Sequence, residues 1–524
     1  MAAVIGAVAP ALLPAQRSPV RPTPPVPTLV VFLAVDQMIP DYFIRYGKEF
    51  TGGLARLQRG GVLYRNGYQD HATTETAPGH ASMMSGRFPM HTGIVRNNAG
   101  VNDTGHPLIG GGGAGASPFR FEGTTLTDWM VARDARTKVL SISRKDRGAI
   151  LPIGRSKQSV FWYASDGRFT TSTWYGDTLP TWLVRFNARR LPHQMAGTSW
   201  TLLRDAAQYS EPDSVPVEAM GKGFTFPHPM PTDTMQSVRA MPDDPRMDWL
   251  TLQGALAGAD AMQLGKGPQT DLLAVSLSTT DGIGHKYGPD SREIHDQILR
   301  LDRYLGEFLD SLYTGRDSSR IVIALTSDHG VQPFPELHFR GQQTSLRVNV
   351  EPVLTSTMRA LAGRGLDTAL ALDFEYGMVF ADSMAFQRAN VNLDSVLTVM
   401  ATAFRAVPGV ARVDRVRDLA KADTVRDAVA RRWIHALPKS LPVLLLVTPR
   451  PFVYWNGVMY ATHGSPNDAD ARVPILFYGP GFARGVTRSR AVRVVDIAPT
   501  LARRLGLVPG ETQDGVVLRD AFRR

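Results

Sequence analysis

Cysteine is absent from the 524 residues. That excludes a disulfide framework, Cys-ligated zinc, a thiol nucleophile and an iron–sulfur cluster. It also excludes a sulfatase whose nucleophile is made from cysteine. Any metal must be held by His, Asp, Glu or hydroxyl oxygen, and any nucleophile must be Ser, Thr, Asp, Glu, Lys, His or Tyr. Long apolar runs are missing too: no stretch reaches the roughly 20 residues a membrane-spanning helix needs. No segment clusters Lys and Arg with interleaved aromatics. The formal net charge of +10 therefore reads as an arginine-rich enzyme surface, with no nucleic-acid partner expected. Repeats are absent. The glycine-rich segment 110–115 follows no strand pattern and opens no helix, so it is a loop and not a dinucleotide fingerprint.

What is present is globular: 43% hydrophobic and 20% charged residues. The length accommodates one large α/β domain with insertions, or roughly two to three ordinary domains. Met1 to Gln16 is apolar and rich in small residues, like a secretory signal without its positive start. With the proline-rich linker Pro19 to Pro27 it forms a leading segment 1–27. The rest is expected to be soluble and periplasmic or secreted. Five apolar runs lie at Leu29–Val35, Val139–Ile142, Leu272–Leu277, Ile321–Leu325 and Val473–Tyr478. They are β-rich without clear alternation, as expected of parallel strands buried on both faces. Helical patterns separate them. The clearest runs from Ser291 to Tyr313, with Asp290 and Glu293 as a capping box. The expectation is an α/β fold: a doubly wound, mostly parallel sheet flanked by helices, occupying 28–524. Insertions are expected at about 160–262 and 342–438. Ligands of such sheets bind beyond the carboxyl ends of the strands.

Polar groups collect after those ends. Asp36 closes the first run. Asp281-Gly-Ile-Gly-His285 brings a carboxylate and an imidazole four residues apart around two glycines. Asp328-His329-Gly330 offers adjacent ligands, with Gly330 allowing a sharp turn. His463-Gly464 precedes the last run. As a set these suit divalent metals with nitrogen and oxygen donors, Zn²⁺ above all. The segment from His71 to Gly86 places Pro78 early in a helix and Thr76 near its start. Thr76 is either an N-cap or a hydroxyl at an anion-attracting helix end, which a bound metal could activate. Thr73 and Thr74 are competing candidates.

These residues, with Asn97 and the order in which they occur, resemble the alkaline phosphatase superfamily. The similarity is to the branch containing nucleotide pyrophosphatases/phosphodiesterases and PafA-like alkaline phosphatases. It runs from Leu29 to about Gly330 and from about Pro451 to the end. The resemblance implies an alkaline-phosphatase-like fold and two Zn²⁺ ions. One would be held by Asp281, His285 and His463. The other would be held by Asp36, Asp328 and His329, with Thr76 as nucleophile and changeable ligand. Asn97 would donate to a phosphoryl oxygen. Ser143-Arg-Lys145-Asp-Arg147-Gly-Ala-Ile is similar to the PafA-like segment in which Lys and Arg bind non-bridging phosphate oxygens. Paired cations favour a monoester dianion over a diester. The expected activity is thus an alkaline phosphomonoesterase with a phosphothreonine intermediate, acting on small phosphate monoesters. The alternative is a phosphodiesterase or nucleotide pyrophosphatase on the same scaffold. Glu75 and His80 read as structural, and nothing marks His71 or His91 as ligands.

Overall fold

The computed structural model describes residues 25–342, 346–367 and 371–523. Most of the leading segment 1–27 therefore lies outside the described residues. Among those described, no helix is long and apolar enough to cross a membrane.

The strand Leu29–Val35 is completely buried, and its side chains divide between two cores. Leu29, Val31, Leu33 and Val35 belong to one apolar cluster, Val30, Phe32 and Ala34 to another. A strand covered on both faces has no polar side, which is why the run does not alternate. It pairs in parallel with Asp271–Leu277 on one side and Ile321–Thr326 on the other. Val139–Ser143 and then Ser159–Tyr163 extend the sheet in parallel beyond Asp271–Leu277. Helices such as Arg246–Ala261 and Arg292–Tyr313 cover the first face. Thr76–Ser85, Leu126–Arg133 and Ile497–Leu505 cover the other. The doubly wound α/β reading is the observed architecture.

The fifth apolar run differs from expectation. Arg472–Tyr478 pairs antiparallel with Ile321–Thr326, with Ile475 opposite Thr326 and Tyr478 opposite Ile323. Its start therefore lies at the carboxyl edge of its parallel neighbours. Val62–Tyr68 pairs antiparallel with it in turn, and so ends at that same edge. Direction is not encoded in an apolar run buried on both faces.

The stretch expected as an insertion from about Val160 opens inside the main sheet, in the strand Ser159–Tyr163. It closes with Arg246–Ala261, packed on that sheet. The later stretch builds a separate antiparallel sheet in the order Leu372–Glu375, Met378–Ala381, Val443–Pro449, Val410–Arg415. Its third strand lies past Pro438. Helices Glu351–Ala362 and Leu393–Arg405 pack on it around Leu354, Leu397, Phe404 and Leu445.

The long helix begins at Arg292, and Ser291 caps it: its hydroxyl accepts the Ile294 N–H at 3.1 Å. The expected capping box does not form. Asp290 pairs with Arg45 at the surface, and Glu293 turns to His228 at 2.9 Å. Ser291→Ala should destabilise the protein by about 1 kcal/mol. Asp290→Ala should have half that effect or less, since exposed pairs contribute about 0–1 kcal/mol. Calorimetric melting of both variants compares them directly, and equal losses would contradict the Ser291 cap.

Candidate active site

Six chain segments meet at the carboxyl edge of the sheet. Asp36 follows Leu29–Val35, Lys145 follows Val139–Ser143, Asp281 follows Asp271–Leu277, and Asp328 and His329 follow Ile321–Thr326. The loop after Val62–Tyr68 brings Thr76. The antiparallel direction of Arg472–Tyr478 brings His463, which precedes it. Among the described residues, two groups have ligand atoms within 4.8 Å of one another: Asp281, His285 and His463, and Asp36, Asp328 and His329.

The three imidazoles share one arrangement. His285 Nδ1 faces the Ala461 carbonyl at 2.5 Å, His463 Nδ1 the Thr74 carbonyl at 2.7 Å, and His329 Nδ1 the Gly330 carbonyl at 3.0 Å. A carbonyl only accepts, so each Nδ1 carries a proton, and Nε2 is the nitrogen with the lone pair whenever the ring is neutral. Those Nε2 atoms point at carboxylates. His285 and His463 approach Asp281 Oδ1 at 3.2 and 3.6 Å, and His329 approaches Asp36 Oδ1 at 3.4 Å. Both Asp36 oxygens, Asp328 Oδ2 and His329 Nε2 are buried without a hydrogen bond of ordinary geometry. Lys145 and His80 stand within ion-pair distance of Asp36 Oδ2 and Asp328 Oδ2, but buried polar atoms that lack hydrogen bonds are rare in folded proteins and call for an ion or an equivalent. The donor chemistry, tautomers and orphaned atoms fit a pair of divalent cations.

Charge balance follows from the same packing. Lys145 Nζ lies 2.5 Å from Asp36 Oδ2 and 2.6 Å from Asp281 Oδ2, bridging the two groups. It also donates to Thr76 Oγ1 at 3.2 Å. Burial and the neighbouring Asp281 and Asp328 carboxylates push Asp36 up from the usual carboxylate range. Asp281 is buried too, but Lys145 and His285 hold it well below that range. Burial, with His463 beside it, keeps His329 neutral far below the usual imidazole range. Their rings stack with centroids 3.5 Å apart. Burial works against charge on His463 as well, yet Asp281 raises it to about 8.

Thr76 is the first residue of its helix, and Glu75 occupies the N-cap, so Thr76 is not the cap. The helix end presents fewer free N–H groups than expected. Ala77 N–H goes to Asn97 Oδ1 at 2.9 Å, and Pro78 has none. That bond orients the Asn97 amide with its NH₂ away from the helix, while Asn97 N–H donates to Glu75 at 2.7 Å. Thr73 and Thr74 hydroxyls donate to the Val95 and Ser465 carbonyls. Of the three threonines, only the Thr76 hydroxyl meets Lys145. Arg147 stands on the short helix Asp146–Ile150, 3.5 Å from Asp146, with Nε buried and unpartnered.

Two supporting groups, Gln37 and Asp470, escaped sequence reasoning, and a third, His80, reads there only as structural. Gln37, held at φ 63°, donates its backbone N–H to Asp328 and its side-chain amide to Asp281. His80 lies 2.9 Å from the Thr76 carbonyl and 3.2 Å from Asp328 Oδ2. Asp470 accepts from Ser465 and Gln332, fixing the loop that carries His463. A left-handed, non-glycine residue directly after Asp36 leaves no mark in composition, and the other contacts join distant parts of the chain. His71 pairs with Gln69, and His91 with Asp514, so both stay outside the two groups. Gly330 is needed for closeness and not for a positive φ: a Cβ there would stand 2.2 Å from the Ala469 carbonyl oxygen.

Gly79 is the contact that seats the Thr76 helix against the Asp328 turn. A Cβ there would meet the Asp328 carbonyl oxygen at 2.2 Å and its Cα at 2.8 Å. Gly79→Ala should therefore destabilise the protein by about 1–3 kcal/mol and weaken uptake of added divalent metal. Melting curves and calorimetric metal titration measure both. Unchanged values would mean that the turn can yield.

Residues 30–349 match the family model described as type I phosphodiesterase / nucleotide pyrophosphatase. The chain is 31% identical to alkaline phosphatase PhoK of Sphingomonas sp. over 93% of its own length and 90% of the relative's. It is 30% identical to alkaline phosphatase PafA of Elizabethkingia meningoseptica over 91% of each. The crystal structure of wild-type PafA superposes with a TM-score of 0.87 at 28% identity, covering 95% of this chain and 99% of that one. Fold, site and relatives agree, and the chain belongs to the type I phosphodiesterase/nucleotide pyrophosphatase family as a phosphoric ester hydrolase related to the PhoK and PafA alkaline phosphatases.

Proposed function

We propose that this chain is an alkaline phosphomonoesterase that passes the phosphoryl group through Thr76. The observation that carries the reading is the Thr76 hydroxyl against Lys145, which bridges Asp36 and Asp281. Asp281, His285 and His463 would hold one metal ion, and Asp36, Asp328, His329 and Thr76 Oγ1 the other. Two Zn²⁺ ions, which suit these nitrogen and oxygen donors, would lower the pKa of the Thr76 hydroxyl and neutralise charge on the attacking and departing oxygens.

Thr76 Oγ1, having lost its proton, attacks phosphorus as the ester P–O bond breaks in line, and the alcohol leaves with a proton. Water then attacks from the vacated side. The P–Oγ1 bond breaks, Thr76 regains its proton, and phosphate departs. Asn97 donates its NH₂ to a non-bridging oxygen, and its acceptor end stays on Ala77 N–H. Lys145 supplies a charge beside Thr76 Oγ1, and the unpartnered Arg147 Nε offers a guanidinium donor. Two cations favour the dianion of a monoester, which carries one more charged oxygen than a diester. Phosphate monoesters of small molecules are the substrate class. With the signal-like start, the proposal places the enzyme in the periplasm or outside the cell.

Turnover of p-nitrophenyl phosphate should exceed that of bis-p-nitrophenyl phosphate and should disappear with a chelator. Dominant diester turnover would favour the phosphodiesterase reading. Persistence in chelator would remove the metal account. Thr76→Ala should abolish the acid-stable phosphoenzyme. Lys145→Ala with Arg147→Ala should lower monoester kcat/KM by about 100-fold or more, from two lost charge-assisted contacts of about 1.5–3 kcal/mol each. The diester value should fall far less.

A further inference from the structure

The separate antiparallel sheet sends a hairpin tip to the catalytic site. Strands Leu372–Glu375 and Met378–Ala381 are joined at Tyr376 and Gly377. The Glu375 carboxylate pairs with Arg96 and accepts from Asn98 Nδ2 at 2.7 Å. Arg96 and Asn98 flank Asn97, so the tip is tied to the loop that carries a phosphate-binding amide. The Arg96 guanidinium also lies 4.7 Å over the Phe380 ring, on the second strand of the same hairpin.

Tyr376 is held at φ 48°, where glycine is the ordinary residue and a bulky side chain is strained. Backbone strain of this kind persists where the surroundings over-determine it, often at binding sites. The ring is not there to fill a core, since Tyr376 is 41% exposed. It lies close to the metal-ligand loop: its Cδ1 is 4.0 Å from where a Cβ on Gly464 would stand, as is Glu75 Cγ. Tyr460 stands nearby, 47% exposed and edge-on to His285 at 5.3 Å. His285 keeps 27% of its side chain accessible, whereas Asp36 and His329 keep none. Entry to the site is thus on the side of the two tyrosines.

We propose that Tyr376, with Tyr460 beside it, forms an aromatic subsite that holds the ester's leaving group when that group carries a planar ring. The inference rests on the phosphomonoesterase reading. Displacement in line from Thr76 sends the departing oxygen toward the Asp281, His285 and His463 group, next to which both rings lie. A planar leaving group, aryl or nucleobase-bearing, stacks on an aromatic face, whereas a methyl group does not reach it. The Glu375 clamp positions Tyr376, so the inserted sheet contributes to substrate preference. Glu75 and partial burial push the Tyr376 hydroxyl up to about 12, so the ring stays neutral under alkaline conditions.

The test is the ratio of kcat/KM for phenyl phosphate over methyl phosphate in the full chain. Tyr376→Gly removes the ring and suits the left-handed backbone, so folding is not at stake. It should lower the ratio about threefold to tenfold, the range expected of one aromatic contact. Tyr376→Phe should keep it within about twofold of the starting value. An unchanged ratio in Tyr376→Gly, or an equal fall in both variants, would overturn the subsite. Binding of phenylphosphonate and methylphosphonate, by calorimetry, reads the same preference without turnover. Failure of the phosphatase reading would appear as lost turnover with that binding preference intact.

Discussion

Three buried carboxylates around one lysine set the terms for this molecule. Asp36, Asp281 and Asp328 are removed from water at the sheet edge, and burying like charges together is strongly unfavourable unless they are compensated. Lys145 supplies part of that compensation by bridging Asp36 and Asp281. His80 faces Asp328, and Gln37 donates to both Asp328 and Asp281. The remainder falls to the cations that the orphaned oxygens call for. Each compensating group comes from a different strand end or helix, so the site can be assembled only when the sheet is complete.

Much of the site was legible because parallel strands make it so. Asp36, Asp281, Asp328 and Lys145 each follow an apolar run, and residues after such runs gather at one edge whatever their distance in sequence. His463 was legible as a residue, but the route that brings it in was not. It depends on the antiparallel direction of Arg472–Tyr478, and a strand buried on both faces reads alike in either direction. Thr76 could not be separated from Thr73 and Thr74 by position alone. The difference lies in carbonyls of Val95 and Ser465, supplied by segments far along the chain. Gln37 and Asp470 left no signal, since a buried amide or carboxylate acquires its role only from what packs against it, and His80 reads only as structural.

The boundaries of the additions show the same limit. Aromatic and proline-rich composition marked the stretch beginning near Val160 as separate, yet its opening strand is part of the main sheet. Composition there reflects the surface that the later residues cover, not the layer to which the first ones belong. The second addition has its own core around Val379, Leu445 and Val447, and the alternate residues Met378, Val443 and Leu446 pack on its other face against Trp433. Its hairpin tip at Glu375 and Tyr376 nevertheless enters the neighbourhood of Asn97, a link that neither segment announces.

The three histidines carry a consequence of another kind. Every Nδ1–H is received by a main-chain carbonyl, of Ala461, Thr74 or Gly330. No amino-acid replacement deletes a carbonyl, so the tautomers that aim Nε2 at the carboxylates are written into the path of the backbone. A side-chain replacement that leaves the backbone in place leaves the coordination-ready form of each imidazole intact. Insertions, deletions and altered turns are what would detune it, which makes loop length, more than residue identity, the hereditary property that this centre has to protect.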